Sequence, residues 1–116
     1  MKRNINLFIN DILENIENIE VFLSNLNKEE LSKNKLKRYA IIRALEIIGE
    51  ATKNIPQSFR EKYPKVPWRD ISGFRDVVIH GYFQVNIDKV WRVIKEDLPD
   101  LKQKILKVKK DLETED

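Results

Sequence analysis

Between Ile5 and Leu23 seven apolar residues, Ile5, Phe8, Ile9, Ile12, Ile16, Ile19 and Leu23, recur at helical spacing. Steps of three and four residues put them on one stripe of an α-helix, whereas a half-buried strand would alternate. The spacing predicts a helix from about Asn4 to about Leu23, with Asp11, Glu14, Glu17 and Glu20 making its outer face acidic. The same spacing returns twice. Leu31, Leu36, Ala40, Arg43-Ala44, Ile47-Ile48 and Ala51 mark a second helix. Its apolar band widens over Tyr39, Ile41, Ile42 and Leu45, so burial on more than one side is expected. Val90, Trp91, Ile94, Leu98, Leu101, Ile105, Val108 and Leu112 mark a last long helix, facing inward.

Local chemistry supplies the punctuation. Asn27 with Glu30 reads as an N-cap with a glutamate three residues on. Gly49 inside the second helix costs about 1 kcal/mol relative to Ala, which close approach of a neighbouring helix would explain. Asn54-Ile55-Pro56 ends that helix, because the residue before Pro is pushed out of α geometry. Gln57 to Tyr63 suits a short helix, and Pro64-Lys65-Val66-Pro67 forces an extended turn in which Pro67 can open the next helix. That helix is expected from Trp68 to about His80, with Ile71, Phe74 and Val78 inward and Gly81 as its C-terminal αL residue. Asn86 or Asp88 would cap the last helix, and Pro99 should kink it. With Gly 3 and Pro 4, the chain lacks the turn residues of an all-β fold. The expected fold is all-α, an antiparallel bundle of four to five helices forming a single domain over 1–116.

Composition narrows the function classes. Hydrophobic residues at 41% and charged residues at 35% exclude both a disordered chain and a membrane-spanning one. No apolar run approaches the roughly 20 residues of a spanning helix, and Met1-Lys2-Arg3-Asn4 leads straight into the amphipathic segment. A cytoplasmic protein without a membrane partner is expected. The lack of Cys excludes thiol chemistry, and a single His leaves no His-rich metal site. Net charge is only +3, which permits nucleic-acid binding without requiring it. Two basic clusters, Lys28, Lys33, Lys35, Lys37 and Arg38, and Lys102, Lys104, Lys107, Lys109 and Lys110, read first as solvated helix faces.

Packing and solvation account for most positions, but not for Gly73-Phe74-Arg75-Asp76-Val77-Val78-Ile79-His80-Gly81-Tyr82. Asp76 and His80 are i, i+4 and therefore neighbours on one helix face. Two readings fit the pair. The carboxylate orients an imidazole base and raises its pKa, or the two form a surface pair with the imidazole favoured by the helix C-terminus. Arg75 offers a planar fork suited to phosphate. A base, a cation and an acid together suit phosphodiester cleavage.

Arg75-x4-His80-x-Tyr82 resembles the R-x4-H-x-Y motif of the HepT toxins, a branch of the HEPN-domain ribonucleases. Tyr63-Pro64-Lys65-Val66-Pro67-Trp68-Arg69, Gly81-Tyr82-Phe83, Trp91 and Ile48-Gly49-Glu50-Ala51 fit the same family pattern, so the resemblance spans roughly residues 36 to 108. It implies a HEPN-like helical bundle that dimerises with the motif at the subunit interface. It implies Arg75 and His80 as the ribonuclease pair, Asp76 at the supporting polar position, and Tyr82 as the residue that receives AMP. The donor would be ATP, handled with Mg²⁺ by a partner antitoxin, a minimal nucleotidyltransferase. RNA is then the substrate, and cleavage itself would use no cofactor.

Helix geometry agrees that one chain is not enough. Five residues apart, Arg75 and His80 point about 140° away from each other, and a lone His cannot serve as both base and acid. A two-fold dimer would place two of each around one cleft. No carboxylate or Cys cluster in the sequence suggests a metal site, so the cleavage is expected to be metal-independent. A non-catalytic helical partner, or substrate-presenting subunit, of a nucleotidyltransferase is the alternative from a different class.

Overall fold

The computed structural model describes residues 2–74 and 87–114, and among them every regular element is helical. Helix α1 runs Lys2–Leu23, α2 Lys28–Lys33, α3 Lys35–Lys53, α4 Gln57–Arg60 and α5 Trp68–Ser72. After the interval, α6 (Ile87–Arg92), a π-helical turn (Val93–Asp97) and α7 (Leu98–Thr114) follow one another directly. The expected all-α class is met. Among the described residues no helix is long and apolar enough to cross a membrane.

The stripe read from α1 is the centre of the core. Ile9 and Ile12 are fully buried, Ile16 and Ile19 nearly so, and Asp11, Glu14, Glu17 and Glu20 lie on the exposed side. Each such side chain contributes roughly 1.5–3 kcal/mol by leaving water. The stripe packs on α3 and α7, whose inward residues recur at the same steps. These are Ile41, Leu45 and Ile48 on α3 and Leu98, Leu101, Ile105, Val108 and Leu112 on α7. At one end of the bundle Lys102 Nζ on α7 meets Glu20 Oε1 on α1 at 2.8 Å. Among the described residues the two buried polar side chains close their bonds within their own helices. Asn15 Nδ2 donates to Asp11 O (2.8 Å) and Thr52 Oγ1 to Ile48 O (2.8 Å).

Where the chain turns, the caps are mostly those expected. Asn27 Oδ1 accepts from Glu30 N–H at 2.8 Å while Glu30 Oε1 accepts from Asn27 N–H at 3.1 Å. The single second helix expected from the sequence is instead two. Asn34, at φ −99° and ψ 91°, ends α2 and caps α3 through Lys37 N–H (3.0 Å), and Arg38 Nη1 donates to Ser32 O across the break. Leu36 and Tyr39, expected inside, are consequently exposed. Pro56 is the N-cap of α4 and Pro67 of α5, each one position before the first helical residue. Asp88 lies within α6 rather than capping it, and Trp91 is half-buried against the core. Ahead of Pro99 the helix widens to a π turn, with Leu98 N–H donating to Val93 O. One inserted residue accommodates the proline that would otherwise clash with the preceding turn.

Candidate functional site

Arg75, Asp76, His80 and Tyr82 all lie outside the described residues, as do Val78, Gly81 and Asn86. What the structure supplies is the frame that carries the chain into that stretch and receives it afterwards.

The approach is held by two side chains that reach backbone carbonyls. Arg60, at the end of α4, donates from Nη2 to Thr52 O (2.7 Å) and from Nε to Ile55 O (3.0 Å), clasping the C-terminus of α3. Thr52 O belongs to the last turn of α3, where a cation also complements the dipole, and Ile55 O lies just past the helix's C-cap Asn54. Trp68, at the start of α5, donates from Nε1 to both Arg60 O (3.1 Å) and Tyr63 O (3.0 Å). Trp68 is 7% exposed, with Ile71 at 0% and Phe74 at 6% continuing the buried face. α3, α4 and α5 are thereby tied into one unit that ends at Phe74, next to Arg75 in the chain. At Gly73 a Cβ would come within 3.3 Å of Asp70 O, so any larger residue there presses on the backbone of α5. On the far side Ile87 is half-buried and Val90 buried, and Asp88 Oδ1 meets Lys28 Nζ of α2 at 2.8 Å. That hydrogen bond and charge hold the Asp88 carboxyl below its usual range.

Beside Phe74 opens a cleft of about 570 Å³ lined by Lys53, Arg69, Asp70, Phe74, Val93 and Asp97 among others. Burial pushes the Asp97 carboxyl above its usual range, the negative charges of Glu96 and Asp70 push the same way, and Arg92 opposes them. Among the described residues two cations face two carboxylates there, so those residues alone make no ready anion site. Among the described residues no group of three His, Cys, Asp or Glu side chains is placed to hold a metal ion.

Sequence reasoning missed Arg60 as the clasp of this frame. Nothing in a lone arginine after Phe59 signals that its fork will span two carbonyls of the preceding turn. Trp68 was legible only as part of a pattern, and its hydrogen bonds show what an indole at that position does.

Fold and frame define an all-α protein whose candidate chemistry is confined to one stretch between two anchored helices. Residues 12–108 match the family described as Ribonuclease HepT-like, a range that includes that stretch. The chain is 46% identical over 110 residues to "Probable ribonuclease HepT" of Thermococcus cleftensis, covering 95% of this chain and 100% of that protein. It is 44% identical over 115 residues to "Putative RNase MJ1216" of Methanocaldococcus jannaschii, covering 99% and 95%. It also matches 51% of "Gamma-glutamylcyclotransferase and putative RNase MJ0434" of the same organism, at 41% identity over 113 residues. No solved structure matches the chain. The chain belongs to the HepT-like ribonuclease family.

Proposed function

We propose that this protein is the toxin of a toxin–antitoxin pair, an endoribonuclease that cuts RNA without a metal ion at a site shared by two subunits. The family match across residues 12–108, which contains Arg75-x4-His80-x-Tyr82, carries the reading. The anchored helices on either side of that stretch support it, because a catalytic group must be held to a fraction of an ångström by its scaffold.

In the proposed reaction one His80 takes the proton of a ribose 2′-hydroxyl. The 2′-oxygen attacks the adjacent phosphorus, the bond from phosphorus to the 5′-oxygen breaks, and the leaving oxygen takes a proton from an acid. A second His80 across a two-fold axis serves as that acid, and Arg75 stabilises the charge that builds on the phosphoryl oxygens. Asp76 orients the imidazole. Tyr82 is the control point. Its phenolic oxygen attacks the α-phosphate of ATP on a nucleotidyltransferase partner, pyrophosphate leaves, and the AMP ester adds a negative charge and a bulky adenosine beside Arg75 and His80.

Incubation with a minimal nucleotidyltransferase, Mg²⁺ and ATP tests the pairing. Mass spectrometry should find AMP on Tyr82 and the modified protein should no longer cut RNA, while Tyr82→Phe gains no AMP and keeps cutting. Modification elsewhere, or silencing of Tyr82→Phe by the same treatment, overturns the switch. Light scattering of a monomer at micromolar concentration would overturn the shared site.

A further inference from the structure

Two segments far apart in sequence bring their lysines to one groove. Lys62 and Lys65 come from the connection between α4 and α5, and Lys104 and Lys107 from the outer face of α7. They border a groove of about 380 Å³ floored by Tyr63, Pro64 and Val66. Among the described residues the one carboxylate on its lining, Asp111, accepts a hydrogen bond from Tyr63 Oη at 3.1 Å. Lys104 Nζ is 2.8 Å from Asp100. Lys62, Lys65 and Lys107 are exposed and, among the described residues, form no ion pair.

We propose that this groove holds the phosphate backbone of single-stranded RNA, as a positioning site separate from Arg75 and His80. The inference rests on the ribonuclease reading for its ligand. Cations gathered along a concave surface focus a positive potential that a net charge of only +3 would not provide. The other basic cluster is largely engaged. Lys33 pairs with Glu29, Lys28 with Asp88, Lys35 sits over the Tyr39 ring, and Arg38 holds Ser32 O. The groove lysines are therefore the larger set of uncommitted charge. The floor favours backbone over base recognition. The Tyr63 ring packs on Phe59 with centroids 5.3 Å apart and its hydroxyl is bound to Asp111, so it shapes the groove instead of offering a free stacking face. The lysine-bearing connection continues through Trp68 and α5 toward Arg75, so an RNA held here is held by the same unit that carries the chemistry.

The test compares the full-length protein with Lys62→Gln/Lys65→Gln/Lys107→Gln, and with Lys33→Gln/Lys35→Gln/Lys110→Gln as a control of equal charge. Each lysine–phosphate contact contributes about 0.7 to the slope of log affinity against log salt for a single strand, so the groove variant should lose about 2 from that slope. Its advantage in kcat/KM on an RNA of roughly 20 nucleotides over a trinucleotide should fall about tenfold, through KM. The control should keep most of both. Equal losses in the two variants, or a groove variant with the wild-type slope, overturn the proposal. So does a groove variant that handles RNA normally but no longer binds the nucleotidyltransferase partner, which would make the groove a protein dock. Failure of the wild type to cut either RNA would instead overturn the ribonuclease reading, and the binding slopes would still decide the groove.

Discussion

Replacing Trp68 by Phe removes the indole N–H while leaving most of the ring in place, and the cost follows from the structure. The lost donor serves Arg60 O and Tyr63 O. Both carbonyls keep a backbone partner, Tyr63 N–H at 3.0 Å and Val66 N–H at 3.1 Å, so neither is orphaned. The hydrogen-bond loss is then about 0.5–1.5 kcal/mol, and the smaller ring adds about 0.5–1.5 kcal/mol of lost packing at a site only 7% exposed. Unfolding 116 residues at about 2.1 cal/mol/K each gives about 0.24 kcal/mol per degree, so a total of about 1–3 kcal/mol lowers Tm by roughly 4–12 °C. Thermal unfolding followed by circular dichroism at one fixed protein concentration measures it. Trp68→Ala should cost about 3–5 kcal/mol, since it also empties the pocket. A Trp68→Phe protein that melts within a degree of wild type would refute the idea that this indole ties α4 to α5.

Asn27→Ala breaks the reciprocal pair with Glu30 and should cost about 0.5–2 kcal/mol in urea unfolding. Asp97 gives a pH signature. Its folded carboxyl is raised above the ordinary value of 3.8, so the folded state holds its proton more tightly than the unfolded one. Stability therefore falls as pH climbs from the unfolded pKa through the folded one. Asp97→Asn should flatten that fall between acid and neutral pH, and a wild-type curve unaltered by the substitution would contradict it.

How much the sequence showed varied with how local the cause was. α1 was legible in type and facing because one stripe of isoleucines admits one helical phase, although the buried Leu13 beside that stripe was not named. The break at Asn34 was present in the pattern but easily passed over. Counting back from Ile48, Leu45 and Ile41 in steps of three and four reaches Lys37 and Asn34, both polar, so Leu36 belongs to a different phase from the core of α3. A helix running through Leu31 and Leu36 conceals that slip. The proline at position 99 announced a disturbance, and the structure shows it as a π turn over Val93–Asp97, a form that the spacing of apolar residues does not encode. Arg60 and the Lys62–Lys107 groove were not legible at all. Arg60 acts locally, on carbonyls five and eight residues back, but nothing in its type marks that reach, and the groove joins segments that only tertiary packing brings together. For Arg75, Asp76, His80 and Tyr82 the position was legible only as a motif, since the one helical angle between Arg75 and His80 argued for a second subunit without showing it.

The measurement that bears most directly on the account is RNA cleavage by the purified protein in excess EDTA, wild type beside His80→Ala, with folding of both verified by circular dichroism. The wild type should cut with chelator present, and His80→Ala should be slower by about 10²–10⁴-fold, the contribution of a positioned acid–base group. Equal rates for the two folded proteins, or a wild type that cuts only when a divalent metal is restored, would contradict it.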